Sequence, residues 1–186
     1  MYRVPRVIPD QKGRFESDEL FRRLSRESEV RYVGFRDRPL EERQMRFAAG
    51  CREGHAEIAI VATGTNFQLV FGPGTWGFSS DANRDCDFDK EPGKVHIKSR
   101  FILNGVCAKW RGWLDLDRLD GVGCVEFDEE AARIEDVYRR EQVERFNQRL
   151  REFEEDQRAY RNHHVAAAVE RQSQSEHNNP DMVDVS

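Results

Sequence analysis

Residues 94–127 read KVHIKSRFILNGVCAKWRGWLDLDRLDGVGCVEF, and this stretch decides the fold. Residues 94–103 have the character of an extended strand, and Asn104-Gly105 follows before a second apolar run. Asn-Gly between two such runs is a strong hairpin signal, because a type I′ turn needs positive φ at both central residues. The register follows: Leu103 faces Val106, Ile102 faces Cys107 and Phe101 faces Ala108. Asp120-Gly121 predicts a second turn of this kind, between residues 113–119 and 122–127. Antiparallel neighbours joined by short turns make a meander or an incomplete barrel.

Upstream, residues 57–63 read as a short buried strand, Gly64-Thr65 interrupts it, and residues 67–71 continue in β-favouring side chains. Residues 72–93 are rich in Gly, Ser, Asp and Pro and read as a long loop. Two helices precede the strands. Ser17 or Asp18 caps the first, whose apolar stripe is Leu20, Phe21 and Leu24. The second begins near Pro39, which suits a first helical turn, with Asp37 as the expected cap. Glu41 and Glu42 then sit where the helix dipole favours negative charge. Met45, Phe47, Ala48 and Cys51 supply its apolar surface, and Gly54 ends it.

From Asp128 the period is helical again. Ala131, Ile134 and Tyr138 line one face, and Phe146, Leu150 and Phe153 form a later stripe. Glu and Arg fill most of the remaining surface at spacings that allow i, i+4 pairs. The apolar seam lapses around Glu141, so no sustained heptad is read there. Beyond about Arg171 the chain is polar and is expected to be disordered. Helices before and after a run of strands give an α+β class.

Of 186 residues, 35% are charged, with a formal net charge of -5. A protein that grips phosphate directly gathers Lys and Arg in excess, and there is no such excess. Cys51, Cys86, Cys107 and Cys124 form no CxxC motif and read as small buried apolar residues of a reduced, intracellular protein. The first fourteen residues are polar and carry no secretory stretch, and no run of about 18 apolar residues exists for membrane spanning.

Catalysis needs converging groups with tuned pKa values, and the sequence offers few. His55, His96, His163, His164 and His177 show no metal-ligand spacing. There is no GxSxG elbow and no P-loop. Gly72-Pro73-Gly74 lacks the Gly-Lys-Ser/Thr of a phosphate loop. Asp115 and Asp117 alternate with Leu114, Leu116 and Leu119, which sets the aspartates on the wet face of a strand and not around a metal. No enzyme, cofactor, metal or small-molecule substrate is expected. Trp110, Trp113, Phe101 and Phe67 read either as core or as a base-stacking platform. The nearby cluster Lys98, Arg100, Lys109 and Arg111 is offset by Asp115, Asp117 and Asp120. A single-stranded nucleic-acid-binding barrel is therefore the alternative reading.

Several stretches together resemble the beta subunit family of core-binding factor. They are Val7-Ile8-Pro9-Asp10-Gln11; Gly34-Phe35-Arg36-Asp37-Arg38-Pro39 with Glu41-Glu42-Arg43-Gln44; Glu57-Ile58-Ala59 with Val61-Ala62-Thr63-Gly64-Thr65-Asn66; and Ile102-Leu103-Asn104-Gly105-Val106-Cys107. The last continues through Trp110, Gly112-Trp113, Leu119-Asp120-Gly121 and Gly123-Cys124 to Glu126-Phe127-Asp128-Glu129-Glu130. The likeness covers most of residues 5–136, except the 72–93 loop.

The resemblance implies a partly open six-stranded antiparallel barrel flanked by helices, with a long charged C-terminal helix. It implies a heterodimer with a Runt-domain transcription factor, whose DNA affinity is raised allosterically, with DNA met only through that partner. Carried over by motif, the partner-binding residues are Arg6, Gly64, Asn66, Leu103 and Asn104. Each keeps a structural alternative: Gly64 and Asn104 as turn residues, Leu103 as core. Val70 stands where the family has Gln, and His96 where it has Tyr. The expected organisation is a heterodimerisation domain over 1–136, a charged helical extension over 137–170 and a disordered tail over 171–186. No membrane association is expected. Arg139-Arg140 is too short for a nuclear import signal, so the chain is expected in the cytoplasm and, with its partner, in the nucleus.

Overall fold

A computed structural model describes residues 4–72 and 85–177. They belong to two units, residues 1–139 and 140–186.

The first unit is built on one antiparallel sheet. Its strands are β1 (Ser28–Tyr32), β2 (His55–Ile60), β3 (Thr65–Val70), β4 (Cys86–Asp87), β5 (Lys94–Leu103), β6 (Val106–Asp115) and β7 (Asp120–Phe127), in the order β3-β2-β1-β7-β6-β5-β4. Side chains alternate between faces along a strand. Val95, Ile97 and Ser99 of β5 turn inward, while His96, Lys98 and Arg100 are more exposed. The inner faces meet Phe21 and Leu24 of a short helix, α2 (Glu19–Leu24), and Phe47 and Cys51 of α3 (Leu40–Glu53). Phe21 is fully buried, and burying a phenylalanine contributes roughly 1.5–3 kcal/mol.

The sheet curls until its two ends approach. The Ser99 hydroxyl donates to Val70 O at 2.9 Å and accepts from Val70 N at 3.1 Å, joining β5 to β3. The Phe67 and Phe101 rings pack nearby, with centroids 5.5 Å apart. This is the expected curled α+β half-barrel with one strand more. The extra strand, β4, is two residues long and pairs Cys86 with Ile97 and Asp87 with His96. It lies in the stretch read as loop, and two residues are too few to show a period. Residues 73–84 of that loop lie outside the described residues.

The β5–β6 hairpin has the expected register, Leu103 opposite Val106, Ile102 opposite Cys107 and Phe101 opposite Ala108. Its turn has φ of 50° at Asn104 and 78° at Gly105. The second turn is different. Asp120 and Gly121 already belong to β7, opposite β1 and β6. The chain reverses over residues 116–118 instead, where the Asp115 carboxylate accepts from the N–H groups of Asp117 and Arg118, both at 2.9 Å. These bonds hold the Asp115 carboxyl below the usual carboxylate range. Asp115, the last residue of β6, lies on the face opposite buried Leu114 as expected, but Asp117 belongs to the turn that Asp115 builds and not to a strand. Leu119, at φ 59°, completes it and is buried.

Two further elements carried too little signal to be expected. One is β1, whose five residues include the outward Glu29 and Arg31. The other is α1 (Gln11–Ser17), capped by Asp10 accepting from Gly13 N at 3.1 Å. Asp18 caps α2 as expected, accepting from Leu20 N at 2.9 Å. Asp37 does not cap α3. Pro39 occupies that position without a side-chain bond, because the turn over residues 34–37, with Phe35 at φ 52°, directs Asp37 into solvent. Met45, expected on the apolar face, is exposed. Gly54 ends α3 in the left-handed conformation, at φ 98°.

The last helix, α4 (Glu129–His177), begins in the first unit. Buried Asp128 starts it, its carboxylate accepting from Ala131 N at 3.2 Å. Ala131 and Ala132 are buried, whereas Ile134, read onto the same stripe, is exposed. The second unit contains the remainder of α4, which runs to His177, beyond the point near Arg171 where composition suggested disorder. Among the described residues, no helix is long and apolar enough to cross a membrane.

Candidate partner-binding surface

The Asn104-Gly105 turn is the centre of the site, and the chain preceding α1 is pinned across it. Ile8 N donates to Gly105 O at 2.9 Å. A Cβ on Gly105 would stand 2.7 Å from Ile8 Cγ2, so glycine is needed there both for φ and for this close approach. Val7 is buried with Cys107, Ala131 and Ala132 in a small apolar cluster of its own.

Gln11 ties the same parts together with both ends of its carboxamide. Its Oε1 accepts from Cys107 N at 2.9 Å, and its Nε2 donates to Ala132 O at 3.1 Å. Both bonds are buried, where an unpaired amide would cost about 1–3 kcal/mol. Arg6, just outside, forms an ion pair with Glu135 of α4. Burial, reinforced by Glu135 and Asp128, pushes the Cys107 thiol up to about 12. It is a packing residue under the hairpin and not a nucleophile.

The expected site residues therefore fall into two groups. Arg6, Leu103 and Asn104 belong to one assembly of arm, hairpin and helix start. Asn104 is exposed at the tip, while Leu103 is partly buried against the core. Gly64 and Asn66 belong to the β2–β3 hairpin. Gly64 has φ 65° and open space where a Cβ would stand, and Asn66 is exposed opposite Ala59. The contacts between β3 and β5 run from Val70 and Ser99 to Phe67 and Phe101. Continued along both strands, they carry the 64–66 turn and the 103–104 turn toward the same end of the sheet.

Gln11 and Ser99 hold this surface in shape. No general rule marks a lone Gln at the start of a helix or a lone Ser within a strand, so sequence reasoning did not single them out. Val70, one of the two departures from the family pattern, uses its backbone for the Ser99 bonds and exposes its side chain. His96, the other, lies opposite Trp113 and 3.5 Å from Glu91.

The base-stacking alternative loses its centre. Trp110 is buried, Phe67 and Phe101 pack on the core, and the Trp113 ring is covered by Lys94 Nζ at 3.9 Å. Among the basic cluster, Arg111 pairs with Glu126 at 2.7 Å and Arg100 faces Asp128 at 3.7 Å. Cys51 and Cys86, distant in sequence, interact through their thiols. Their interaction, with burial, pushes Cys51 up, and the same interaction draws Cys86 down. Among the described residues, no group of three or more His, Cys, Asp or Glu side chains is arranged to hold a metal ion. A cleft of about 460 Å³ lies elsewhere, lined by Tyr32, Phe35, Arg46, His55 and Glu57 among others.

The described residues thus form a curled antiparallel sheet with two exposed turns, one of them crossed by a pinned arm. The family model described as core binding factor beta subunit matches residues 4–168. The chain is 64% identical over 161 residues to Protein big brother of Drosophila melanogaster, covering 87% of this chain and 75% of that protein. It is 57% identical over 152 residues to Protein brother of the same fly, covering 82% and 70% respectively. The chain belongs to the core binding factor beta subunit family. Membership assigns it to transcription regulation, as a heterodimeric partner of a Runt-domain protein, and implies work in the nucleus.

Proposed function

We propose that this chain is the non-enzymatic, non-DNA-binding subunit of its heterodimer. It docks on a Runt domain through Arg6, Gly64, Asn66, Leu103 and Asn104 and raises that domain's DNA affinity allosterically. The observation that carries this reading is the pinned arm: the Ile8–Gly105 bond and the buried Gln11 fix the hairpin tip while Asn104 stays exposed. A surface already held in its binding shape loses little entropy on docking. Residues 1–136 carry this role, with the helical extension 137–170 and the tail 171–186 outside it. The chain reaches the nucleus from the cytoplasm with its partner.

A subunit that never meets DNA acts through its partner's conformations. If the Runt domain occupies its DNA-competent state only part of the time, its apparent dissociation constant is worsened by that fraction. A ligand selective for that state removes the penalty, and the coupling is reciprocal.

Titration of the purified full chain with a purified Runt domain tests the reading. A one-to-one complex is expected, and the chain alone should shift neither duplex nor single-stranded DNA in a gel. A folded chain that fails to associate overturns the proposal. A shift of single-stranded DNA by the chain alone would favour the nucleic-acid-binding barrel instead.

A further inference from the structure

We propose that residues 143–160 of α4 form a parallel two-stranded coiled coil with a second copy of this chain. The observation is a row of exposed apolar side chains on an unbroken helix. Val143, Phe146, Leu150, Phe153 and Tyr160 are all exposed, Phe146 at 67% and Phe153 at 61%. Their spacings are three, four, three and seven, with Gln157 at the skipped place. The lapse around Glu141 lies before this row, and the seam restarts at Val143. Val143, Leu150 and Gln157 take the a positions of a heptad, and Phe146, Phe153 and Tyr160 the d positions. At 1.5 Å per residue the row is about 27 Å long, and such a seam buries itself against a partner helix. Tyr160 also stacks edge-on against His164 at 4.4 Å, the next a position, where the strongly apolar part ends.

The flanking charges select the partner. In a parallel pair, each g residue faces the e residue five positions later on the other helix. Here Arg149 at g meets Glu154 at e, and Asp156 at g meets Arg161 at e. Both pairings attract, and twofold symmetry makes four of them. Antiparallel self-association keeps the attraction between Arg149 and Asp156 but sets Glu154 against Asn147, so it gains half as many. Gln157 adds to the choice. In a parallel, in-register dimer the two carboxamides meet at the seam and bond to each other, whereas a shifted register would bury each without a partner.

Sedimentation equilibrium of the full chain over micromolar to hundreds of micromolar is the test. A monomer–dimer equilibrium is expected, abolished by Leu150→Glu. Asp156→Arg alone or Arg161→Asp alone should raise the dimer dissociation constant by roughly tenfold, since each loses two attractions and creates two repulsions. The double variant should restore it. Positions 156 and 161 are five apart and do not face each other within one helix, so rescue reports pairing between copies. Far-UV circular dichroism of each variant verifies that the helix persists. A monomer throughout the range overturns the proposal, as does a higher oligomer or a dimer that the double variant fails to restore.

Discussion

Asn104 has two properties that a single substitution would confuse. It stands at φ 50° in the hairpin turn, a conformation that Asn tolerates better than most residues. Its side chain is also exposed at the tip. Asn104→Ala strains the turn and removes the carboxamide, whereas Asn104→Gly removes the carboxamide alone. If the side chain is a binding hot spot, both variants weaken the heterodimer by about 1–3 kcal/mol. Calorimetric titration with a Runt domain measures this loss, and the melting temperature of the Gly variant should stay at the parent value. A loss below about 0.5 kcal/mol in the Gly variant would leave Asn104 as a turn residue. Gly64 shows the converse. Its φ of 65° favours glycine, while open space surrounds the missing Cβ.

Whole elements were legible where local chemistry and packing agree. Residues 94–115 hold an Asn-Gly turn and two runs of apolar side chains, and both strands and their register follow from these. The next turn was misread because Asp-Gly mimics the same signal. Gly121 is glycine for another reason: a Cβ there would lie 1.8 Å from Trp113 O across the β6–β7 ladder. Asp115, whose carboxylate captures two backbone N–H groups, decides the true turn three residues earlier. Short elements such as β1, β4 and α1 depend on neighbours that the sequence brings from far away. Gly112 and Gly123 stand opposite each other and make the space into which the Trp110 indole lies. A Cβ on Gly123 would be 2.2 Å from Trp110 Cζ2. Gly123→Ala should therefore destabilise the fold by ~1–3 kcal/mol, as overpacking does. Urea denaturation reads this as a lower midpoint with an unchanged slope.

At the scale of the molecule, the proposed surface draws on residues 6, 64–66 and 103–104. No periodicity links such distant segments, so the candidate residues were legible through family likeness and not through local pattern. What the sequence pattern could not reveal is how they are held: the arm bonded to Gly105, and the β3 edge brought beside β5. The same scale sets the DNA prediction. A tenfold gain in the partner's DNA affinity needs about 1.4 kcal/mol of coupling. If the chain neutralises no phosphate, adding it raises the affinity while leaving the slope of log K against log salt unchanged. Filter binding across a salt series measures both, and a slope steeper by about one unit per phosphate would reveal direct contact.

The hydroxyl of Ser99 has one more consequence. Elsewhere around the half-barrel, neighbouring strands are stitched by backbone ladders, whereas β3 and β5 meet through the Ser99 hydroxyl and the Phe67–Phe101 ring contact. Parting them would sacrifice two hydrogen bonds and an aromatic contact, but no ladder. The closure beside Val70 thus has no continuous hydrogen-bonded ladder behind it, unlike the seams between paired strands.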